Sequence, residues 1–451
     1  MTGNCKVSVI GAGYVGLSTA TLLANSGLKT YLIDIDRQKI KTIQNKKSPF
    51  FEPNLDNLIK LNLDSGLLKA TTNYREAVSD SDFVFCCVGT PDRADGSTNL
   101  DFVFDALRTA ASYAKNGVIF VQKSTVPVGT SKKVIAAIKK KARRLKFDYV
   151  SNPEFLREGS AIRDSLYPDR TVLGGDNNQA LKKVALLYKQ IEKAAPEIDQ
   201  NYKKTNSSDG NFIYTTLESA ELIKVTANAF LALKISFANS IAKLADHTGA
   251  DINEVMDGVG SDKRIGRAFL NAGRGYGGGC FPKDVSGLIA SAAEHNVDME
   301  IMASAVHENS SMPDYIINKI ESKHQTIKGK HITILGLSFK TGTSDSRRSP
   351  AIAIANLLAE KGAKVKAYDP QAVLERNEEF NGLINRMQSL PEALKNTDIA
   401  VVATDWPEFV NMDYKAAKKL MRGCLIVDCM NALDENAVIK AGLVYMGVGR
   451  Y

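Results

Sequence analysis

Histidine, cysteine and tryptophan are scarce in this sequence, with 5, 6 and 1 of them among 451 residues. No cysteine pair has zinc-ligand spacing with histidine support, so no metal site is predicted. None of the histidines lies in a glycine-rich or strand-end motif, which argues against an enzyme whose base is a histidine: His247, His295, His307, His324 and His331.

Long apolar runs are also lacking, since none approaches the roughly 20 residues that span a bilayer. A strand pattern begins at KVSVIG, residues 6–11, which leaves no room for a signal peptide before it. We therefore expect a cytoplasmic protein with no membrane partner. The net charge of +8 favours anionic partners only weakly. The densest basic run, KKKARR at 139–144, has no interleaved aromatic residues, so no nucleic-acid partner is expected.

Short β-branched runs alternate with helical patterns through the first part of the chain, which is typical of a parallel, doubly wound sheet. These runs are KVSVIG, KTYLIDID, DFVFCCVG, GVIFVQKS, FDYVSNPEF and TVLGG. The polar stretch at 193–216 is predicted to be a surface loop. The same alternation returns at 331–336 and predicts a second α/β domain, with strands in HITILG, AKVKAYD, DIAVVAT, CLIVDCM and LVYMGV.

Residues 217–248 contain neither glycine nor proline, and Gly249 then offers a stop, which predicts one long helix. Such a helix would be about 48 Å long. Its apolar composition predicts that it is buried, either between domains or at a subunit interface.

The segment VSVIGAGYVG, residues 7–16, places Gly11, Gly13 and Gly16 between a strand and an apolar helical pattern. Such glycines permit a tight turn and a close approach of the backbone to a pyrophosphate at the helix N-terminus. The next strand pattern ends at Asp34, close to the roughly 20-residue offset of the acid that binds the adenine ribose. Because a carboxylate there repels a 2′-phosphate, NAD is favoured over NADP, although Arg37 lies nearby.

Three further residues are candidates for contacts in this region. Lys39 can reach the same end of the cofactor, or it is an exposed helix lysine. Thr90 in VGTP and Thr125 in KSTVPVGT follow strand patterns. Ligands of open α/β sheets bind at the carboxyl ends of strands, so these threonines either contact cofactor or substrate or serve only their turns.

The stretch GYGGGCFPKD, residues 275–284, leads through a glycine-rich loop to Cys280. A thiolate can attack an aldehyde to give a thiohemiacetal, which loses a hydride to become a thioester and then hydrolyses to an acid. In this interpretation the glycines let the backbone close around a ligand, Cys280 is the nucleophile, Asp284 orients water and Lys283 contacts the anionic cofactor. The alternative is a glycine-rich turn with an inert cysteine.

A second cluster lies on the long predicted helix, where Glu221, Lys224 and Asn228 are spaced three and four apart and share one face. Lys224 has apolar neighbours, and a lysine in such surroundings needs a partner or a task. Lys224 and Asn228 are suited to donate hydrogen bonds to an oxyanion that develops on a substrate. A polar stripe on an amphipathic helix is the alternative.

The glycine turn, SNPEFLREG at 151–159, the Lys224–Asn228 helix and GGGCFPKD at 277–284 occur in this order, and the chain resembles the UDP-glucose/GDP-mannose dehydrogenase family from end to end. The resemblance implies an α/β fold in which a long central helix and a helical dimerisation region join two Rossmann-like doubly wound domains. The implied domains are an NAD-binding domain at 1–200, a central domain at 217–325 and a UDP-sugar-binding domain at 329–451. A homodimer or higher homo-oligomer is also implied.

The resemblance further implies NAD-dependent four-electron oxidation of UDP-glucose to UDP-glucuronate, since residues 151–170 are similar to the UDP-glucose branch. The catalytic residues would be Cys280, Lys224, Asn228, Asp284, Thr125 and Glu154. The cofactor-binding residues would be Gly11, Gly13, Tyr14, Val15, Gly16, Asp34, Lys39, Thr90, Thr125, Glu158, Lys283 and Arg347. The substrate-binding residues would be Glu154, Phe155, Leu156, Arg157, Glu158, Lys224, Asn228, Arg264, Phe269, Leu270, Asn271, Ala272, Gly273, Gly277 and Lys340, of which Arg264 would reach the partner subunit's substrate.

Other functions stay open at this point. A GDP-mannose or UDP-N-acetylmannosamine dehydrogenase would use the same chemistry. A two-electron 3-hydroxyacid dehydrogenase or a non-catalytic NAD-binding sensor would share the glycine turn but would have no use for Cys280. The sequence also departs from the family pattern, because Arg348 stands where an acid is usual, Gly279 replaces a commoner serine, and the loop at 193–216 is longer than usual.

Overall fold

A computed structural model describes residues 5–199, 211–324, 326–374, 379–380 and 382–450. The chain divides into two compact units, Met1–Ala227 and Asn228–Tyr451. The boundary falls inside the long helix Leu217–Thr248, so the first part of this helix belongs to one unit and the remainder to the other.

The first unit contains one eight-stranded sheet, formed by β1 (Lys6–Ile10), β2 (Lys29–Ile33), β3 (Leu68–Thr71), β4 (Phe83–Cys86), β5 (Val118–Gln122), β6 (Phe147–Ser151), β7 (Thr171–Gly174) and β8 (Phe212–Thr215). The strand order is β3-β2-β1-β4-β5-β6-β7-β8. Neighbouring strands are parallel except β6 and β7, which are antiparallel and pair Ser151 with Gly174. Strands β1 to β6 therefore have the 3-2-1-4-5-6 order of dinucleotide-binding folds.

The helices that begin in this unit are α1 (Tyr14–Asn25), α2 (Arg37–Gln44), α3 (Leu55–Asp64), α4 (Tyr74–Val78), α5 (Asp101–Ala111), α6 (Thr130–Lys141), α7 (Ala161–Leu166), α8 (Asn178–Ile198) and α9 (Leu217–Thr248). Local sequence explains several of their starts. Asp36, for example, accepts hydrogen bonds from the backbone N–H groups of Gln38 and Lys39 and so caps α2. Helix α1 buries every residue from Gly16 to Ala24, which makes it the main cover of the glycine turn.

The second unit contains the C-terminal part of α9, then α10 (Ile252–Gly260), α11 (Phe281–Ala293) and α12 (Glu300–Lys323). Its six-stranded sheet is formed by β9 (His331–Leu335), β10 (Lys364–Tyr368), β11 (Asn385–Arg386), β12 (Ile399–Val402), β13 (Leu425–Asp428) and β14 (Val444–Gly447). The order is β11-β10-β9-β12-β13-β14 with every pair parallel, which repeats the order of β1 to β6. Shorter helices connect these strands: α13 (Pro350–Glu360), α14 (Leu390–Leu394), α15 (Pro407–Val410), α16 (Tyr414–Leu420) and α17 (Glu435–Lys440).

The central strands of both sheets are buried along their whole length, including β4, β5, β12 and β13. Helices cover both faces of such sheets, so their strands read as continuous apolar runs rather than alternating ones. This burial leaves the carboxyl ends of the strands as the places where polar side chains reach a ligand.

The structure confirms the predicted fold class and the predicted extent of helix 217–248. The prediction of a surface loop at 193–216 was wrong in its described part, since α8 continues to Ile198 and Phe212–Thr215 forms the edge strand β8. Residues 200–210 of that stretch lie outside the described residues. Strands β3 and β11 were also missed, because their short segments carry little β-branched sequence and are held by pairing with β2 and β10. The three-domain division stays a prediction.

Within the described ranges, one helix is long and apolar enough to cross a membrane by length and composition, namely α9. Polar residues interrupt its apolar sequence, so α9 is not an uninterrupted apolar run. In the most apolar 18-residue stretch of α9, 44% is buried inside the protein.

Candidate active site

The glycine turn of the first unit adopts a conformation that only glycine tolerates. Gly11 has φ = +102°, and a Cβ there would lie 2.5 Å from the carbonyl oxygen of Cys87. A Cβ on Gly16 would lie 1.8 Å from the carbonyl oxygen of Gly11. Gly13 is exposed with open space beside it, so a ligand can approach the backbone there. The turn therefore combines a closed inner side with an accessible N-terminus of α1, as a pyrophosphate requires.

Asp34 follows β2 and lies against this turn. Its Oδ2 accepts the Ala12 N–H at 2.7 Å, and its Oδ1 accepts the Asp36 N–H at 2.9 Å. The carboxylate is half-buried, so its remaining lone pairs can accept the two hydroxyls of a ribose. These groups fit NAD, whose adenine ribose Asp34 would hold and whose pyrophosphate the glycine turn would hold; both contacts stay predictions.

The other predicted cofactor residues of this unit lie around the same strand ends. Tyr14 begins α1 and packs against Phe50, with ring centroids 4.0 Å apart and the rings tilted by 34°. The Thr90 hydroxyl donates to the carbonyl oxygen of Thr125 at 2.9 Å, so the structure brings these two predicted residues together. The remaining predicted residues, all partly exposed, are Val15, Lys39 and Glu158.

Lys224 has a buried carboxylate partner, as its apolar surroundings required. Its Nζ lies 3.2 Å from Oε1 of Glu154, and the two side chains are 4% and 7% exposed. The Lys224 ammonium also lies 5.3 Å from the centre of the Phe155 ring. The second oxygen of Glu154 accepts the Leu156 N–H at 2.5 Å. Lys224 and Glu154, predicted separately from the helix and from SNPEFLREG, thus form one buried ion pair beside Phe155 and Leu156.

Arg157 lies in the same segment but is engaged elsewhere. Its Nη2 and Nε donate to the two oxygens of Asp164 at 2.6 and 3.0 Å, and 63% of its side chain is exposed. This bidentate pair fixes the shape of the segment. A direct contact of Arg157 with substrate stays a prediction.

Glu221 shares a helix with Lys224 but serves a different partner. Its two oxygens accept the N–H groups of Gly129 and Ser131, both at 2.7 Å, at the start of α6. Burial raises the pKa of the Glu221 carboxyl, while these backbone donors act in the opposite direction. Glu221 is therefore a helix cap for the segment that follows Thr125.

Sequence analysis missed a buried lysine beside this group. The Lys123 Nζ donates to the Tyr188 hydroxyl at 3.0 Å, and that hydroxyl donates to Oδ1 of Asn152, two residues before Glu154. Burial lowers the pKa of Lys123, but its interactions with Tyr188, Cys87 and Glu154 outweigh burial and raise it overall. The signal was present, since Lys123 ends the apolar run GVIFVQK.

In the second unit, Cys280 is exposed and lies at the N-cap of α11, where the helix N-terminus favours negative charge. Asp284 lies in the first turn and is 3% exposed. Its Oδ2 accepts from Nδ2 of Asn228 at 2.6 Å, and its Oδ1 accepts from Nζ of Lys283 at 2.6 Å. Three predicted polar residues are therefore joined one turn after the thiol.

The glycines before Cys280 accommodate the loop that follows β9. A Cβ on Gly277 would lie 2.1 Å from the carbonyl oxygen of Arg348, and one on Gly279 would lie 2.6 Å from Nη2 of Arg347. The Gly278 N–H donates to the carbonyl oxygen of Arg347 at 3.0 Å, while Phe339 packs on Gly278. The backbone thus closes on the protein itself, and closure around a ligand stays a prediction.

The predicted phosphate-binding cations lie in that same loop. Arg347 pairs with Asp345 through Nη2 at 2.6 Å, and the Lys340 Nζ lies 5.7 Å from the centre of the Phe339 ring. Arg348 has φ = +48°, which is uncommon for a residue with a side chain. Arg347 and Arg348 therefore contact the glycines before Cys280, and Lys340 lies in the same loop, next to Phe339.

Residues 269–273 precede the cysteine loop and are partly held by the fold. Leu270 and Ala272 are buried, Phe269 has φ = +65° and its ring lies 6.1 Å from that of Phe281, and the Gly273 N–H donates to Oδ1 of Asn239 at 2.8 Å. Oδ1 of Asn271 accepts from Arg267 at 2.6 Å. By contrast, Arg264 is 89% exposed and pairs only locally, with Asp262 at 2.6 Å among the contacts described.

Arg274, which sequence analysis also missed, is 1% exposed. Its Nη2 donates to the carbonyl oxygens of Ser338 and Phe339 and to Oγ1 of Thr404, at 3.2, 3.0 and 3.2 Å. Burial lowers the pKa of Arg274 to about 10. It ties the start of the glycine loop to the strand ends of the second sheet, and no local sequence signal separates it from a surface arginine.

The first unit has a doubly wound sheet, a glycine turn and an acid at the end of the next strand, and the chain has an exposed cysteine at a helix start. These features define a dinucleotide-dependent oxidoreductase as the class. Three descriptions of one family match successive parts of the chain: the NAD binding domain of the UDP-glucose/GDP-mannose dehydrogenase family at 5–192, its central domain at 218–311 and its UDP binding domain at 333–435. The chain belongs to the UDP-glucose/GDP-mannose dehydrogenase family and is an NAD-dependent oxidoreductase. The family, enzyme and cofactor predictions are therefore confirmed.

Relatives span the whole chain. UDP-glucose 6-dehydrogenase TuaD of Bacillus subtilis (strain 168) is 39% identical over 446 residues, covering 99% of this chain and 93% of the relative. UDP-glucose 6-dehydrogenase of Rhizobium meliloti (strain 1021) is 38% identical and covers 99% of both chains. The solved structure of a UDP-glucose dehydrogenase from Pyrobaculum islandicum has a TM-score of 0.88 at 33% identity, covering 100% of this chain and 99% of that one.

Proposed function

We propose that this enzyme oxidises UDP-glucose to UDP-glucuronate, with two NAD and one water consumed per sugar nucleotide. The observation that carries the proposal is the exposed Cys280 at the start of α11, followed one turn later by Asp284 with Asn228 and Lys283 bonded to it. Full-length relatives at 38–39% identity that are named UDP-glucose 6-dehydrogenase support the choice of substrate.

The sulfur of Cys280 is assigned to the second half of the reaction. It adds to the C6 aldehyde left by the first oxidation, and the carbonyl oxygen takes a proton to give a thiohemiacetal. Loss of the C6 hydride and of the hydroxyl proton gives a thioester. Water then adds to the thioester carbon and the C–S bond breaks, which releases the carboxylate and the thiol. NAD, when bound, accepts the hydride that leaves C6 in each oxidation.

The other site residues handle charge and protons. We assign Lys224 and Asn228 as donors to the oxygen on C6, since ammonium and amide groups stabilise a developing oxyanion. Asp284 is the base for the hydrolytic water, because Asn228 and Lys283 leave its carboxylate fixed in orientation. Glu154 and Thr125 order water and hydroxyl groups, with Glu154 held by Lys224.

Cys280→Ser tests this route directly. The variant should bind NAD normally but produce no UDP-glucuronate, measured by mass spectrometry alongside NADH absorbance. Cys424→Ser, at another partly exposed cysteine, is the matched control and should release two NADH per UDP-glucose like the wild type. If the wild-type enzyme releases one NADH per substrate, it is a simple two-electron dehydrogenase. If it releases none, it is an NAD-binding sensor.

A panel of sugar nucleotides tests the substrate. UDP-glucose should give the highest kcat/KM, ahead of GDP-mannose and UDP-N-acetylmannosamine. The second of these alternatives is kept because the solved structure of a UDP-D-ManNAc dehydrogenase from Pyrococcus horikoshii covers 99% of this chain with a TM-score of 0.85, at 27% identity. A clear preference for another sugar nucleotide would redirect the proposal within the family.

We also propose that the protein is a homodimer through α9. Phe230, Phe237 and Leu244 are 59%, 49% and 60% exposed and are spaced seven residues apart, so they form one apolar stripe. Exposed apolar stripes mark protein interfaces, and a second copy of the same helix is a self-complementary cover. Phe237→Glu should convert the dimer to a monomer in light scattering, whereas an unchanged mass would contradict this interface.

Arg264, being 89% exposed, is suited to reach the substrate of the partner subunit. Arg264→Ala and Cys280→Ser should each be inactive alone or nearly so. Mixed dimers should regain activity, because the chain with Arg264→Ala keeps its own thiol and receives Arg264 from its partner. No regained activity on mixing would place Arg264 outside the partner's site.

The domain roles and the location complete the proposal. Residues 1–200 would bind NAD and 329–451 the UDP-sugar, and the enzyme would act in the cytoplasm without membrane or nucleic acid. The partial burial of α9 inside the protein supports its role as a core helix. Fractionation of cells that express the tagged chain, with enzyme activity in the soluble fraction, tests the location.

A further inference from the structure

A glutamate that is distant in sequence from residues 154–158 makes hydrogen bonds to the turn that follows this predicted segment. Glu52 lies in loop 46–54, between α2 and α3, and is 7% exposed. Its Oε2 accepts the Gly159 N–H at 2.8 Å, and its Oε1 accepts the Ala161 N–H at 2.7 Å. These donors are 107 and 109 residues further along the chain, so this is a tertiary contact that no local motif reports.

The segment that Glu52 contacts needs an outside acceptor. Ser160 precedes α7 but makes no side-chain capping hydrogen bond, so the two N–H groups rely on Glu52 for their acceptor. Buried N–H groups without an acceptor are costly, and an ionised acceptor gives the stronger type of hydrogen bond. Gly159 has φ = +78°, a left-handed conformation that glycine adopts readily.

The supported turn directly follows residues 154–158, the predicted sugar-nucleotide segment. At its beginning, Glu154 is fixed by Lys224 at 3.2 Å and by the Leu156 N–H. In its middle, Arg157 is fixed by Asp164. At its end, Glu52 fixes Gly159. The segment is thus anchored at three points, and Glu52 is the anchor that comes from the cofactor side of the unit.

Contacts within the first unit also hold loop 46–54, and they fix the position of Glu52. Oδ1 of Asp56 accepts the Ser48 N–H at 2.7 Å. The Phe50 ring, two residues before Glu52, packs against Tyr14 of the glycine turn with centroids 4.0 Å apart. The loop therefore joins the dinucleotide turn to the 154–158 segment within one unit.

We propose that Glu52 is a positioning residue that holds residues 154–158 in the shape that binds the sugar nucleotide. The proposal rests on the proposed function, in which this segment lines the UDP-glucose site. Glu52 touches neither substrate nor cofactor in this scheme, and it acts through Gly159 and Ala161.

Glu52→Gln is the decisive variant. Glutamine keeps the size of the side chain, but its one carbonyl oxygen can accept from only one of the two sites that Glu52 serves. Its NH₂ group would then face the N–H of Gly159 or Ala161, which is also a donor. The KM for UDP-glucose should rise about 10-fold, as expected when a charge-assisted hydrogen bond is lost, while the KM for NAD changes less than about 2-fold. Glu52→Asp, which keeps the charge, should recover part of the loss.

Asp56→Asn is the matched control, since it removes a carboxylate charge beside loop 46–54 while its amide oxygen can still accept the Ser48 N–H that holds the loop. It should leave the KM for UDP-glucose near the wild-type value. Hydrogen–deuterium exchange of full-length protein should show faster exchange in the peptide covering 159–161 for Glu52→Gln and not for Asp56→Asn. If Glu52→Gln purifies poorly, the same measurement can be made on Glu52→Asp. Its exchange rate at 159–161 should rise above the wild-type rate, but by less than in Glu52→Gln.

The outcomes separate the two proposals. A wild-type enzyme that does not oxidise UDP-glucose overturns the proposed function. An active wild type with unchanged KM and exchange in folded Glu52→Gln overturns the positioning role alone. Equal rises in KM for UDP-glucose and NAD, or equal effects of Asp56→Asn, also overturn it, because they indicate a general effect of charge loss in this region and not the loss of the acceptor for Gly159 and Ala161.

Discussion

Gly277→Ala should damage the cysteine loop far more than Gly279→Ala, although both add one methyl group. At Gly277 the new Cβ would lie 2.1 Å from the carbonyl oxygen of Arg348 and 2.8 Å from Cδ of Pro350. Carbon and carbonyl oxygen approach only to about 3.3 Å even in favourable contacts. The backbone of one segment must therefore move by about 1 Å, and Cys280 lies three residues away.

At Gly279 the new Cβ would instead meet the guanidinium of Arg347, with 2.6 Å to Nη2. That group is the end of a flexible side chain and can rotate away. A misplacement of about 1 Å can reduce catalysis about 100-fold, which corresponds to about 2.7 kcal/mol in the activation free energy. We therefore expect kcat/KM for UDP-glucose to fall about 100-fold in Gly277→Ala and less than about 10-fold in Gly279→Ala.

Three measurements check this pair of variants: steady-state NADH formation, the rate at which iodoacetamide alkylates Cys280, and the melting temperature. Gly277→Ala should also lower stability by about 1–3 kcal/mol, the usual effect of overpacking. Wild-type kinetics in Gly277→Ala, or a larger defect in Gly279→Ala, would refute the close contact between the two loops. The comparison also tests whether this chain accepts the serine that is commoner at position 279.

Three further predictions concern buried or cofactor-binding charges. Lys224→Met removes the cation 3.2 Å from Glu154 and should destabilise the fold by about 3–5 kcal/mol, with partial recovery in the double variant that adds Glu154→Gln; equal melting temperatures for wild type and single variant would contradict this. Asp34→Arg removes the acceptor of the Ala12 N–H and should raise the KM for NAD at least about 10-fold while relatively favouring NADP; an unchanged preference would remove Asp34 from the ribose site. Burial raises the pKa of Glu221, so its contribution to stability is full below about pH 4.3, where unfolded glutamates titrate, and is lost as pH rises through the folded pKa. Glu221→Gln should therefore flatten that part of the plot of melting temperature against pH. Identical slopes for wild type and variant would contradict a raised pKa at Glu221.

Local sequence determined much of this protein. The glycine turn, the position of Asp34 against it, the 32-residue helix α9 and most strands follow from short-range patterns, because turn geometry and hydrophobic periodicity act within a few residues. Cys280 was also identifiable, since its glycine loop and the neighbouring Lys283 and Asp284 are contiguous.

The partners of the candidate site residues were not predictable in this way. Lys224 pairs with Glu154, which lies 70 residues earlier in the printed sequence, and Glu52 caps a turn 107 residues later. Glu221 was grouped with Lys224 by helical periodicity, yet it caps α6. Periodicity places residues on one face of a helix, but it does not say which element packs against that face.

Tertiary structure also decided why the loop before Cys280 is rich in glycine. The sequence shows that small residues are required there, and a ligand was the natural reason. In the structure the space is taken by the backbone of Arg348, the guanidinium of Arg347 and the ring of Phe339. Which segment approaches a glycine depends on contacts between distant parts of the chain, and these are set only when the second sheet has formed.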